Sequence, residues 1–149
     1  MSPTDTGLLR LERTFDASPE AVFDAWTNPD VLLRWWAAAP SWRPASAEVD
    51  LRVGGRYRLA MGDPESGALH AVGGEYREVS RPDRIVYSWS WEEGDGHESV
   101  VTVTFRPEGD RTTVVLEHGG LASAESAERH RHGWEGCLDS LAAARVLGG

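Results

Sequence analysis

The sequence predicts an α+β domain, a seven-stranded antiparallel sheet covered by a long C-terminal helix, with two short helices after the first strand. Three observations carry this expectation. From about residue 47 to 118 the chain alternates apolar and polar side chains in short runs separated by Gly, Pro and Asp turns. Residues 123 to 147 instead repeat apolar positions at spacings of three and four. The turns are of hairpin length, which makes neighbouring strands antiparallel, and the last segment is the one long amphipathic element able to cover an aromatic sheet face.

The elements follow in order. Leu9, Leu11 and Thr14-Phe15 suggest a first strand, roughly Leu8 to Asp16. Ser18-Pro19-Glu20 reads as a helix start: the serine caps free N–H groups, proline fits the first helical position, and glutamate suits the positive end of the dipole. Val22, Phe23 and Trp26 form its apolar stripe. Asn28-Pro29-Asp30 repeats the logic for a second helix with Val31, Leu32, Trp35 and Trp36. Pro40 to Pro44 is expected to be a loop carrying Trp42, and Ala47 to Leu51 a strand. After a Gly54-Gly55 turn, Tyr57, Leu59 and Met61 share one strand face. Leu69 to Val79 is a long strand in which Gly73-Gly74 marks a bulge or a close approach. Ile85, Tyr87, Trp89 and Trp91 fall on one face against Val86, Ser88 and Ser90, the clearest alternation in the chain. Past the Glu92 to Gly96 hairpin tip, Val101, Val103 and Phe105 form one strand face, and Val114, Leu116 and His118 another, opposite Thr113, Val115 and Glu117. The closing helix, roughly Ser123 to Leu147, aligns His130, Trp134, Cys137 or Leu138, Leu141 and Ala144. Gly133 and Gly136 lie inside it, each costing about 1 kcal/mol against alanine. Close approach of the helix to the sheet, or room for a ligand, would account for them, and a gap beneath the helix is expected near Gly133.

The 149 residues are read as one domain, 1–149, with a core of about 8–147. The single cysteine, Cys137, excludes an intrachain disulfide and a cysteine-based zinc site. No apolar run approaches the ~18 residues of a membrane span, and the first ten residues lack a secretory pattern, so a cytoplasmic protein is expected. The 24 acids against 15 bases give a net charge of -9, which argues against nucleic-acid and anionic-membrane partners. All the bases are arginine, and lysine and glutamine are absent, pointing to GC-rich bacterial coding. Seven tryptophans are the chemical clue: something large and flat is buried or bound.

Several motifs carry a family resemblance. The opening Arg13-Thr14-Phe15-Asp16-Ala17-Ser18-Pro19-Glu20-Ala21-Val22-Phe23-Asp24-Ala25-Trp26-Thr27, followed by Leu33-Arg34-Trp35-Trp36, resembles the start of SRPBCC or START-like proteins. Within that superfamily it is most similar to the branch related to the C-terminal domain of the activator of the ninety-kilodalton heat-shock protein ATPase. Asp50 to Arg58 and Arg81 to Trp89 resemble two further motifs of that branch, and Gly133-Trp134 with Leu138 to Leu141 its last helix. The resemblance covers about residues 8 to 145. It implies a helix-grip fold, a curved sheet wrapped around the C-terminal helix with a cavity between. Its members include lipid and hormone carriers, polyketide cyclases and aromatases, and co-chaperone domains, so fold alone does not assign chemistry.

The candidate ligand-binding residues are Trp35, Trp36, Tyr57, Met61, Tyr87, Trp89, Trp91, His118, His130, Trp134 and Leu138. Each has a plainer role in core packing. His118, His130 or a tyrosine hydroxyl are also the candidates for orienting a ligand or for proton transfer. His130 and His132 diverge on a helix and cannot chelate one metal, so neither metal nor cofactor is expected. Cys137 reads as a small buried hydrophobe. The leading expectation is a binding protein for an apolar, aromatic or polycyclic small molecule of the kind natural-product pathways handle. A cyclase- or aromatase-like enzyme is the first alternative. A chaperone-associated module is the second, weakened by the lone domain.

Overall fold

The computed structural model describes residues 7–94 and 96–144. Ten elements follow one another: β1 (Leu9–Phe15), α1 (Pro19–Thr27), α2 (Pro29–Trp35), β2 (Arg43–Val49), β3 (Arg56–Gly62), β4 (Leu69–Ser80), β5 (Arg84–Trp91), β6 (Ser99–Glu108), β7 (Arg111–Gly119) and α3 (Ala124–Ala143). The seven strands form one antiparallel sheet in the order β1-β7-β6-β5-β4-β3-β2. The first strand pairs with the last, so α1 and α2 carry the chain from one edge of the sheet to the other, and a meander returns it. Curled around α3, the sheet gives the helix-grip architecture that the motif order implied.

The helix starts are built as their residues dictate. Ser18 Oγ accepts the Ala21 N–H at 3.2 Å. Asn28 serves two helices: its own N–H donates to the Asp24 carbonyl of α1, and its side chain accepts the Asp30 N–H of α2 at 3.0 Å. Ser123 accepts the Ser126 N–H at 3.0 Å to open α3. The helix runs to Ala143 with Ala144 as its cap. The expected extension to Leu147 lies, beyond Ala144, outside the described residues.

One expectation is corrected and one alternative is decided. The segment read as a loop up to Pro44, with a strand from Ala47, is already strand from Arg43. Proline is tolerated there because β2 is an edge strand and its pairing with β3 shifts register between Pro44 and Ser46. The irregularity of β4 falls at Tyr76/Glu78, not at Gly73-Gly74. Gly74 instead marks a close approach: a Cβ there would lie 2.1 Å from the Ser88 carbonyl oxygen.

The core is aromatic. Trp26 packs on Trp35 at 5.3 Å, meets Phe105 edge-on at 6.0 Å and stacks with Trp134 at 6.3 Å. Helix, crossover and sheet are thereby joined through one indole. Thr113, which alternation places on the outward face, is only 5% exposed, because Thr14 of β1 pairs with it hydroxyl to hydroxyl at 2.8 Å.

The helix glycines divide by role. A Cβ at Gly136 would sit 1.8 Å from the Ala38 carbonyl oxygen, so α3 lands on the segment after α2 only because that position has no side chain. At Gly133 a Cβ would meet nothing within 4 Å. Gly136→Ala is therefore expected to destabilise by about 1–3 kcal/mol through overpacking. Gly133→Ala should be neutral or stabilising by up to about 1 kcal/mol. Denaturant midpoints of the two variants test this, and equal effects at both positions would contradict it.

Candidate ligand-binding site

One turn before its landing point, α3 stands away from the sheet over a half-open cavity of about 420 Å³. β5 contributes Trp89 and Trp91, β3 Met61, and β4 His70. Trp36 and Ala38, just past α2, close one side, and α3 supplies Arg129, His130, Gly133, Trp134 and Cys137. The lining is therefore mostly aromatic and aliphatic, as small-molecule sites usually are. Its rings are mutually braced: Trp36 meets Trp134 at 5.7 Å and Trp89 at 6.1 Å, and Trp89 meets Trp134 at 5.0 Å. Met61 is fixed by its sulfur, which accepts the Ala38 N–H at 3.3 Å.

Of the residues singled out in the sequence, Trp36, Met61, Trp89, Trp91, His130 and Trp134 line this cavity, whereas Trp35, Tyr57, Tyr87, His118 and Leu138 do not. Trp35 is fully buried and donates its indole N–H to the Ala25 carbonyl at 2.9 Å. Tyr57 donates to the Ser88 carbonyl at 2.7 Å, and the Tyr87 hydroxyl accepts the Trp26 indole N–H at 3.3 Å. Leu138 is in the core. Burial raises the pKa of both tyrosines, and neighbouring tyrosines push Tyr57 further. Neither is suited to giving up a proton.

The histidines are bound into a polar chain inside apolar surroundings. The Trp134 indole N–H donates to His118 Nδ1 at 3.1 Å, so the ring proton sits on Nε2 and points to Ser99 Oγ at 2.7 Å. Ser99 in turn donates to the Trp89 carbonyl at 3.3 Å. The Trp91 indole donates to His130 Nε2 at 3.0 Å, which leaves Nδ1 protonated and bonded to the Ser126 carbonyl at 2.8 Å. Both rings are therefore neutral with both nitrogens engaged. Burial lowers the pKa of His130, with the Arg129 charge adding to it and the Ser126 carbonyl opposing. Burial, and then His130, push His118 down to about 3. Cys137 is buried and its thiol is pushed up to about 12, so it is an inert wall atom.

Residues that sequence reading did not assign to the site are Ala38, His70, Arg129 and Cys137, and Gly133 was marked only as the place for a gap. His70 could have been found from pairing, since it stands opposite Met61 and partners in register share a face. Its Nδ1 bonds Glu93 at 2.8 Å and its ring stacks on Trp42 at 4.8 Å, forming the rim. The indole N–H groups of Trp36 and Trp89 are buried with no hydrogen-bond partner. Aromatic rings pack around both side chains, most of them at steep angles. Among the described residues no group of three or more His, Cys, Asp or Glu side chains is placed to hold a metal ion, and no helix is long and apolar enough to cross a membrane.

Fold and site together define a helix-grip domain with an apolar cavity under its last helix. The family model for activator of Hsp90 ATPase homolog 1-like proteins matches residues 16–145, and the chain belongs to that family, within the SRPBCC/START-like superfamily. A crystal structure of a Chromobacterium violaceum protein superposes with a TM-score of 0.83 at 30% identity, covering 92% of this chain and 95% of that one. An AHSA1 protein from Silicibacter pomeroyi gives 0.83 at 31% identity, covering 95% and 99%. CalU16 from Micromonospora echinospora gives 0.68 at 28% identity, covering 92% and 74%. No curated protein matches the chain.

The state of His118 has a pH consequence. Its ordinary pKa is 6.5 and its folded value is about 3, so within that window the unfolded chain binds a proton that the folded chain refuses. This contribution to stability is complete above pH 6.5, is lost as pH falls, and stops changing below about 3. The expected result is a denaturant midpoint that falls on acidification, with a shallower slope in His118→Gln. An imidazole resonance of His118 titrating near 6.5 in the folded protein would contradict the assignment.

Proposed function

We propose that this protein binds an apolar, aromatic or polycyclic small molecule in the cavity between its sheet and α3. The observation that carries the reading is the wall itself. Four indoles, Trp36, Trp89, Trp91 and Trp134, converge from the crossover, the sheet and the helix on space that Gly133 leaves open. Burying a flat apolar molecule against rigid rings is favourable by area, roughly 25 cal/mol per Å² removed from water, and loses little side-chain freedom because the rings are already packed. Apart from the indole N–H groups of Trp36 and Trp89, the charged and polar groups lie at the rim or are engaged with one another. Membership in a superfamily whose fold serves as a ligand-binding scaffold supports the reading.

A cyclase- or aromatase-like reaction is less well supported by this geometry. His118 and His130 have no ring nitrogen to spare, and burial holds both neutral. A chaperone-associated role rests on the family's name and gives the cavity no part to play. A cytoplasmic setting fits the single buried thiol.

Aminoanthracene, a flat polycyclic probe, is expected to quench the intrinsic tryptophan fluorescence saturably, with an affinity on the order of micromolar. Gly133→Leu should weaken it by at least about tenfold while the fold survives. The exposed-site control Glu117→Gln should bind as the wild type does. Absence of saturable quenching across a varied polycyclic panel, or undiminished affinity in Gly133→Leu, would sink the proposal.

A further inference from the structure

A second chamber, of about 260 Å³, adjoins the cavity at the start of α3, and Ser99, Leu121, Ser123 and Ser126 are among its walls. The two spaces share Trp89, Trp91, Arg129 and His130. Two of these shared residues are tied to each other across the gap between sheet and helix, by the 3.0 Å bond from the Trp91 indole N–H to His130 Nε2. The tie is anchored at both ends. His130 is held to its own helix through the Ser126 carbonyl at 2.8 Å, and Trp91 stands edge-on to Trp89 at 5.3 Å and 88°. On one side of it the walls are apolar rings, Met61 and open space at Gly133; on the other they include three serines.

We infer that the Trp91–His130 pair is a specificity-determining partition, which ends the apolar chamber and restricts the protein to compact, flat ligands, excluding rod-shaped ones that would run on beside Ser99 and Ser126. This rests on the cavity being a ligand site. A rod-shaped ligand has to displace the indole and leave His130 Nε2 without its donor, whereas a compact one lies under Gly133 with the bond intact. His130 has no easy substitute geometry, because its other nitrogen is already committed to the helix backbone. The pair thus sets the permitted length of the ligand, while the indoles around Gly133 set its flatness.

The test compares two fluorescent probes, aminoanthracene as the compact one and diphenylhexatriene as the rod, and reads the ratio of their dissociation constants. Wild type is expected to prefer aminoanthracene by at least about tenfold. Trp91→Ala removes the partition and should tighten binding of the rod itself by about tenfold or more, whatever aminoanthracene loses with the missing indole. His130→Ala gives the same readout from the helix side and stands in if Trp91→Ala does not fold, as judged by thermal unfolding. A rod affinity that does not rise in the folded variants, with aminoanthracene still bound, overturns the partition and leaves the binding reading intact. So does a wild type that binds the rod as tightly as the compact probe. Failure of wild type to bind either probe removes the binding reading, and the partition with it.

Discussion

The structure depends on where α3 is allowed to touch. At Gly136 the helix lands on the Ala38 carbonyl, a contact that any side chain would block. One turn earlier, at Gly133, the same helix faces empty space. Two glycines that are unfavourable for the helix taken alone therefore set its height at one point and leave room at the next. Trp134 lies between them and cannot swing into the gap, because its N–H is held by His118 and its ring stacks on Trp26. The cavity follows from that arrangement: the seat fixes the helix, the locked indole forms a wall, and the missing side chain leaves the opening.

Polar groups in such surroundings have to be satisfied, and most of them are satisfied by one another. His118, Ser99, Trp134 and the Trp89 carbonyl form one chain, and Trp91, His130 and the Ser126 carbonyl form a second. In each chain the direction of the bonds dictates the tautomer. Burial penalises the charged form of both rings, so the chains stay neutral, and neutrality keeps the wall apolar. The histidines support the pocket as donors and acceptors. They also tie the sheet to the helix, at Trp134–His118 and again at Trp91–His130.

Much of the fold was legible because strand alternation and proline-headed helix starts are local signals. Ile85, Tyr87 and Trp89 are buried as their spacing requires, and α1 and α2 open at the predicted caps. The two helix glycines were legible as positions needing a tertiary reason, and Gly133 as the place for a gap, but the seat at Gly136 was not, since it depends on a loop about a hundred residues away in sequence. Alternation reports the face of a strand and not the depth along it. Tyr87 and Trp89 are therefore indistinguishable in sequence, and both are buried in the core, yet of the two Trp89 alone borders the cavity. His70 was hidden for a related reason: its inward position follows from its register with Met61, which the turn between β3 and β4 sets. Pro44 misled because edge position is a property of the assembled sheet.

The central claim is that a specific set of indoles surrounds a space a ligand can enter. Following the indole N–H resonances of the labelled protein during titration with a flat polycyclic compound tests it most directly, because each tryptophan reports separately. Trp36, Trp89, Trp91 and Trp134 should shift together and saturate at one affinity, while Trp35, held to Ala25 away from the cavity, should remain in place. Resonances that do not move, or that drift uniformly without saturation across the wall and the core alike, would contradict the account.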